Sequence, residues 1–569
     1  MRFVCEDDFY TPSHLTNASV QILGSKDIRK GHIYLRLSQK LASTGGFSGE
    51  RECNMIKHPS ICLVNAPVLS VVEPWYDEPD FGRTGLACLA AYLREHGFSN
   101  VTIIDAKFER LSFSECADRI VNQNPGVVGY TAFTNEIKPS AYLAYKVKEQ
   151  LPDVTSIIGG VHVTAIPERT MEEFPMFDIG VIGEGEHTLL EIIRRLVAKN
   201  SLAGLAGTIS RTESGGLKCG PARQRILNQN ALPQPAWDLL PPAKTYYIQT
   251  MRGCPLNCVF CMNPNGRVAR NRSVSLVMNE LEYLIDTFDP KTISFGDELF
   301  SVDMPRAKSL LEAMAKANIG NRVDWDVQTH VRFVDDEMFR KFKQANVTRV
   351  EMGIETGDEL ALKKMGKGTD LKMIETAFRL AEKHKVPFGT FFLIGQPDET
   401  VKSILSTIRL AIKMNPQLPM FGLMTPYPGT AVGDMASRGE GGYRLLSTDW
   451  DDYNKQIGGA LEFANISRWQ LEVLQSLAYL SVYVFNLRIR DLFLFIIEYR
   501  VGLYHVIKNL LAPIKPDSKK NRPQNYELIT SGHGIILAED MQQAYAHWSD
   551  FQKKSMVEIR KRRTDLIPS

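Results

Sequence analysis

Twice along this chain, short runs rich in β-branched and aromatic residues alternate with segments of helical period. That alternation restricts the fold to parallel sheets joined by crossover helices, an α/β class. In the first series the runs are ICLVNAP (61–67), VTIIDA (101–106), VVGYTAF (127–133), SIIGG (156–160) and IGVIGEG (179–185). Between the first two, residues 84–96 keep helical spacing and stop at Gly97. Five such strands predict a doubly wound sheet. Ligands of open parallel sheets bind beyond the carboxyl ends of the strands. The rim residues Asn65, Asp105, Thr131, Gly159, Gly160, Gly183 and Glu184 are therefore candidate binding residues, although the glycines would equally serve plain tight turns.

Residues 201–242 lose the period and carry Gly215-Gly216 and the proline-rich LPQPAWDLLPP, which reads as a linker. A second series follows at 246–251, 292–297, 323–330, 349–355, 388–395 and 419–428, with helical segments near 276–287, 305–317, 335–345, 371–385 and 399–414. Six strand–helix units predict a full or partial barrel of TIM type, with its chemistry at the strand C-terminal ends. After 428 the strands are expected to stop. SRWQ (467–470) reads as a capping box opening a long apolar helix. The expected organisation is an N-terminal extension (1–59), an α/β domain (60–200), a linker (201–242), a barrel (243–430) and a helical region (431–569).

Apolar residues at 44% and charged residues at 23% give a chain of this length ample core and exclude wholesale disorder. The 67 Lys and Arg nearly balance the 65 Asp and Glu, which argues against a protein built to coat nucleic acid; RKRR (560–563) reads as a solvated tail. Nine cysteines are too sparse for a disulfide scaffold, and the first residues show no secretory pattern, so a reducing cytoplasm is expected. Residues 473–487 lack charges but fall short of the roughly 20 residues that span a bilayer. The aromatic segment 469–504 reads as a core helix covering the barrel, in preference to a membrane-surface contact.

The sharpest chemical signal is GCPLNCVFC, which sets Cys254, Cys258 and Cys261 in one loop right after the first strand of the second series. Thiolates converging from one loop suit a soft metal centre, and a four-iron cubane held by three of them keeps one iron open. Zinc would want a fourth ligand, and none follows at finger spacing.

The three-cysteine spacing at the mouth of a β/α barrel resembles the radical S-adenosylmethionine enzymes. The resemblance implies a [4Fe-4S] cluster on Cys254, Cys258 and Cys261, with S-adenosylmethionine on the open iron. It carries further to SFGDELF, whose Asp297 and Glu298 would serve the bound S-adenosylmethionine, and to EMGIETG, whose Glu355 would help hold ribose or amino groups. FFLIGQPDET would place Ile394 and Gly395 on the adenine. Gln328 and His330, at the third strand end, are further candidates, and His330 alone reads as easily as a structural histidine.

An α/β unit, a linker ending PAWDLLP and then this barrel together resemble the cobalamin-binding branch, which implies a Rossmann-like cobalamin-binding domain. In that branch a histidine can sit beneath the cobalt in an Asp-x-His-x-x-Gly motif. Here Asp105 is followed by Lys107 and Arg110 at the histidine and glycine positions. A protonated lysine offers no lone pair, so cobalamin is expected without a histidine ligand. The resemblance implies methylation of an unactivated carbon of a small molecule through a deoxyadenosyl radical and methylcobalamin. Flavodoxin or ferredoxin would supply electrons. The alternatives are a radical cyclase, oxidoreductase or dehydratase with or without cobalamin, and a non-catalytic iron-sulfur module.

Overall fold

The computed structural model describes residues 59–67, 81–212, 214–454 and 459–498. The expected N-terminal extension up to 58, the basic run 560–563 and the helical region beyond 498 lie outside the described residues.

In the first sheet β1 (Ile61–Asn65), β2 (Val101–Asp105), β3 (Val127–Thr131), β4 (Thr155–Gly159) and β5 (Ile179–Val181) are parallel, in the order β2-β1-β3-β4-β5. Chain direction across the sheet reverses at β1, which pairs with both β2 and β3. Asn65 stands in register with Asp105 on one side and Thr131 on the other. A ligand crevice opens at such a switch point.

The segment read as a linker also contributes to this sheet. β6 (Thr208–Arg211) pairs antiparallel with β5, and β7 (Leu217–Cys219) pairs antiparallel with β6. The Gly215-Gly216 pair, taken for a flexible joint, closes their hairpin, with Gly215 at φ 84°. Strands of three and four residues are too short to show a period.

The second sheet runs β8 (Thr245–Ile248), then, past the short antiparallel pair β9 (Met251–Arg252) and β10 (Arg270–Asn271), β11 (Thr292–Phe295), β12 (Asp324–Thr329), β13 (Arg349–Glu355), β14 (Phe388–Ile394) and β15 (Leu418–Leu423). The six long strands pair in parallel and in sequence order, with β8 and β15 at the edges, so the barrel is partial as expected. Alternate residues such as Ile248, Phe295, Trp325, Val327 and Phe392 are buried in the core shared with the surrounding helices. Strand alternation sets Tyr247, Ser294, Asp326, Gln328 and Glu351 on the inner face.

Strands do not stop after 428. β16 (Tyr443–Leu445) and β17 (Leu461–Phe463) form a small antiparallel pair. Between them Trp450 reaches back into the core of the first sheet. Its Nε1 donates to Glu173 Oε2 at 2.6 Å, its ring meets His162 edge-on, and Arg169 lies 4.3 Å over it. The capping box at Ser467 opens a helix over Arg468–Phe485, with Ser467 N–H donating to Gln470 Oε1. Its buried residues Leu471, Leu474, Ala478 and Val482 join the barrel core. The expected single helix over 469–504 is broken at Leu487, at φ 56°, before a second helix, Ile489–Glu498.

Candidate cofactor chamber between the two sheets

The cysteine loop leaves β9 and returns in β10. Gly253 opens it at φ 91°, where a Cβ would lie 2.2 Å from the Val268 carbonyl oxygen, so no other residue fits that corner. The loop is pinned by Cys254 N–H to Gly266 O, by Asn263 Nδ2 to Cys254 O, and by Val259 N–H to Met365 O. Cys254 and Cys258 are half-buried and Cys261 is exposed. Burial pushes the Cys258 thiol up to about 12 against the pull of Lys367, with the other two thiols also acting on it. A metal must therefore displace these protons as it binds.

Among the described residues no three His, Cys, Asp or Glu side chains are set to hold a single metal ion. In a cubane each thiolate takes its own iron, so a cluster asks only that the three sulfurs share a loop; a closed zinc site asks for tighter convergence. The donor set fits the cluster.

The barrel residues divide into those with spare bonding capacity and those without. Asp297 is buried and fully used. It accepts from Thr250 N–H at 2.6 Å, Thr250 Oγ1 at 2.5 Å and Met251 N–H at 3.0 Å, and so fixes the chain just ahead of the cysteine loop. Glu298 accepts from Asn265 Nδ2 through Oε1, while its Oε2 is buried without a partner. Glu355 closes β13 with φ 67° and is paired with Lys367. His330 is satisfied: Nδ1 accepts from Arg332 N–H at 3.0 Å, so Nε2 carries the proton and faces Thr369 Oγ1. Burial, with Lys367 and Arg332 nearby, holds its pKa down to about 3 and keeps it neutral. Gln328 reaches Glu351 at 3.4 Å. Ile394 is buried, and Gly395, at φ 111°, donates its N–H to Glu399.

At the rim of the first sheet lies a cavity of about 750 Å³. Asn65, Lys107, Thr131, Gly159, Gly160, Gly183 and Glu184 all line it, as the strand-end argument requires. Asp105 does not. Its carboxylate is buried behind the wall, accepting from Asn65 Nδ2 and from the N–H groups of Arg83 and Phe108. At Gly160, φ 107°, a Cβ would stand 2.6 Å from Ala132 O; at Gly183, φ 82°, nothing lies within 4 Å, so the backbone itself faces the space. Lys107 is held by Glu136 at 3.1 Å, and Glu136 also takes Arg83 at 2.7 Å. Burial opposes ionisation of Glu136, but Arg83 and Lys107 prevail and hold its carboxyl down to about 2. No histidine lines the cavity among the described residues. A roomy cleft with bare backbone at its edge suits a flat macrocycle, and its donors fit one bound without an imidazole.

The far wall of this cavity belongs to the barrel: Tyr247, Gln249, Arg252 and Asn265. Tyr247 stacks on Phe81 with centroids 4.6 Å apart, and its ring lies so close over Gly296 that a Cβ there would be 1.7 Å from Cε1. Burial and the carboxylates of Asp297, Glu298, Asp326 and Glu351 push its phenol up to about 12. Sequence reading missed Arg83, Glu136, Tyr247, Asn265 and Lys367. Only Tyr247 carried a signal, its inward parity on β8 between buried Tyr246 and Ile248.

The sequence matches the Radical SAM superfamily over residues 248–411 and the B12 binding domain over residues 77–193. It is 32% identical over 419 residues to the uncharacterized methyltransferase PH0819 of Pyrococcus horikoshii, covering 72% of this chain and 89% of that one. To the anaerobic magnesium-protoporphyrin IX monomethyl ester cyclase of Rubrivivax gelatinosus it is 27% identical, covering 60% of this chain and 64% of that one. The fold is shared with the radical S-adenosylmethionine methyltransferase TsrM from Kitasatospora setae, solved with cobalamin and a [4Fe-4S] cluster bound, at a TM-score of 0.60 and 17% identity over 89% of this chain and 99% of that one.

Proposed function

We propose a reaction for this chain from one premise: it belongs to the radical S-adenosylmethionine enzymes that carry a B12-binding domain. The reaction is methylation of an unactivated carbon in a small molecule. When bound, the [4Fe-4S] cluster with S-adenosylmethionine supplies the means to open a carbon–hydrogen bond, and cobalamin supplies a methyl carrier. The observation that carries the reading is the shared chamber. One cavity is walled by the carboxyl rim of the first sheet and by barrel residues, and one of these, Asn265, is bonded to Glu298 beside the cysteine loop.

In this reading Cys254, Cys258 and Cys261 hold the cluster, and the spare Glu298 Oε2 takes the amino group of S-adenosylmethionine. Glu355 holds a ribose or amino group with Lys367 fixing its carboxylate, Gln328 lies nearby, and Ile394 and Gly395 pack on the adenine. Asp297 and His330 act as positioning residues. Asn65, Lys107, Thr131, Gly159, Gly160, Gly183 and Glu184 face the corrin, and Asp105 holds Asn65 in place. Flavodoxin or ferredoxin supplies electrons, and the substrate is a small molecule, not nucleic acid.

A cyclase reading is favoured by the Rubrivivax relative. Anaerobic reconstitution with iron, sulfide, hydroxocobalamin and a reductant, followed by incubation with S-adenosylmethionine, separates the readings. Methylation predicts both S-adenosylhomocysteine, dependent on cobalamin, and deoxyadenosine. Deoxyadenosine alone favours the cyclase class, and neither product favours a non-catalytic iron-sulfur module.

A further inference from the structure

We infer that the outer face of the cysteine loop is the docking surface for a small acidic electron-carrier protein of flavodoxin or ferredoxin type. The inference rests on the proposed reaction, which consumes one electron at the cluster; the carrier is oxidised by that one electron and must reach Cys254, Cys258 and Cys261 to deliver it. Of these, Cys261 is exposed. The charge around the loop is lopsided. Residues 217–273 hold eight Lys and Arg against one Asp, in a chain whose charges as a whole nearly cancel. Four of the eight are spent on carboxylates from other segments: Arg223 on Glu191, Arg252 on Glu186, Arg270 on Glu184 and Arg272 on Glu280. Arg225 and Arg267 are not. Both are exposed, and each donates to a carbonyl of the loop itself, Arg225 to Pro264 O at 2.7 Å and Arg267 to Leu256 O.

The other flank of the loop is cationic too. Val259 N–H donates to Met365 O, and a Cβ at Gly366 would stand 2.7 Å from Asn257 O, so the end of the helix Glu359–Lys364 and the turn after it border the cysteines. Lys363 is exposed there, and the guanidinium of exposed Arg332 lies beside Gly368. Arg225, Arg267, Arg332 and Lys363 thus bracket the loop, none of them with a carboxylate partner among the described residues. One unpaired surface cation is ordinary, but four around one loop make a field that draws a partner of opposite charge. Beside Arg225 and Arg267 the large apolar side chains of Leu227 and Val268 stand 74% and 62% exposed. Apolar contacts set among cations suit an acidic protein better than a phosphate backbone, which is held by charge alone.

The test is anaerobic isothermal titration calorimetry of the full-length, cluster-loaded protein with oxidised flavodoxin and, separately, with oxidised ferredoxin. At least one carrier should bind, and its affinity should fall about ten-fold or more as salt is raised from about 0.05 to 0.3 M. The double variant Arg332→Glu/Lys363→Glu should weaken binding about ten-fold or more, whereas Lys244→Glu, a charge reversal at the opposite end of β8 from the loop, should leave it unchanged. Iron content and the deoxyadenosine formed with dithionite should match the parent in the double variant, which separates lost docking from a lost cluster. Absence of binding by both carriers at low salt, binding indifferent to salt, or undiminished binding by the double variant overturns the inference. A parent protein that forms no deoxyadenosine with dithionite would refute the proposed reaction instead, while the titration still decides the docking.

Discussion

The ammonium of Lys367 donates to Glu355 Oε1 at 2.5 Å, joining the loop after β13 to a glutamate whose own backbone stands at φ 67°. Both side chains are buried, and Lys367 also donates to Gly353 O. Gly353 leaves room for this pair, since a Cβ would lie 2.4 Å from the lysine nitrogen and would push the two side-chain ends aside. A carboxylate that the sequence presents as free to bind a cofactor is thus oriented in advance.

Removing one partner strands a buried charge. Lys367→Met should therefore destabilise the protein by about 3–5 kcal/mol, measured by anaerobic denaturant unfolding. The double variant Lys367→Met/Glu355→Leu should recover part of that loss, because neither charge is left unpaired. Equal stability of the single and double variants would show that the pair is not coupled.

Replacing Cys254, Cys258 and Cys261 together with Ala should leave the fold intact while removing the iron retained after reconstitution and abolishing deoxyadenosine formation. By contrast Glu298→Ala should keep the iron and weaken S-adenosylmethionine binding about ten-fold or more, in line with loss of a charge-assisted hydrogen bond. Equilibrium dialysis against labelled S-adenosylmethionine separates the two outcomes. Loss of iron in Glu298→Ala would assign that residue to the cluster environment instead.

Glu136 gives a pH-dependent prediction. Its carboxyl is lowered from the ordinary 4.5 to about 2. A depressed folded pKa means that the unfolded state takes up the proton first, so this group's contribution is complete above about pH 4.5 and is lost as pH falls toward 2. The difference is about 3 kcal/mol. Glu136→Gln should remove this part of the acid sensitivity, seen as a flatter stability curve below pH 4.5. Parallel curves for parent and variant would refute the assignment.

Trp450 tests the return of the C-terminal segment to the first sheet. Trp450→Ala deletes a buried indole, its hydrogen bond to Glu173 and the Arg169 contact, and should cost about 3–5 kcal/mol, read as a lowered melting temperature.

What the sequence made legible follows the range of each signal. The strand runs, the cysteine spacing and the Ser467 capping box are local patterns of a few residues, and the structure carries them. The hairpin β6–β7 is local too, but its strands are too short for a period. Relations across distance left no trace: Arg83 and Glu136 are 53 residues apart, and Trp450 meets Glu173 across 277. The proline-rich stretch near 233–242 looked like punctuation, yet its Trp237 is buried in the barrel core and donates to Glu280. The resemblance of SFGDELF presents Asp297 as a binding residue, and here the Thr250 N–H and hydroxyl and the Met251 N–H, which only three-dimensional folding brings near, take its oxygens.

The last prediction concerns the floor of the cavity. Lys107, which takes the histidine position of the Asp-x-His-x-x-Gly motif by resemblance, lines the cavity with its ammonium held by Glu136, which also binds Arg83. An ammonium has no lone pair to give, and this one is engaged with the Glu136 carboxylate at 3.1 Å. Lys107 therefore gives the metal no nitrogen, and we predict that cobalamin bound at this rim also has its own dimethylbenzimidazole detached. The electron paramagnetic resonance spectrum of the protein-bound cobalt(II) form should show no nitrogen splitting. Lys107→His gives the converse. It removes the ion pair and introduces a lone pair at the same place, and splitting should appear provided the ring reaches the metal. Splitting in the parent protein would show that a nitrogen ligand comes from elsewhere and would overturn this account of the cavity floor.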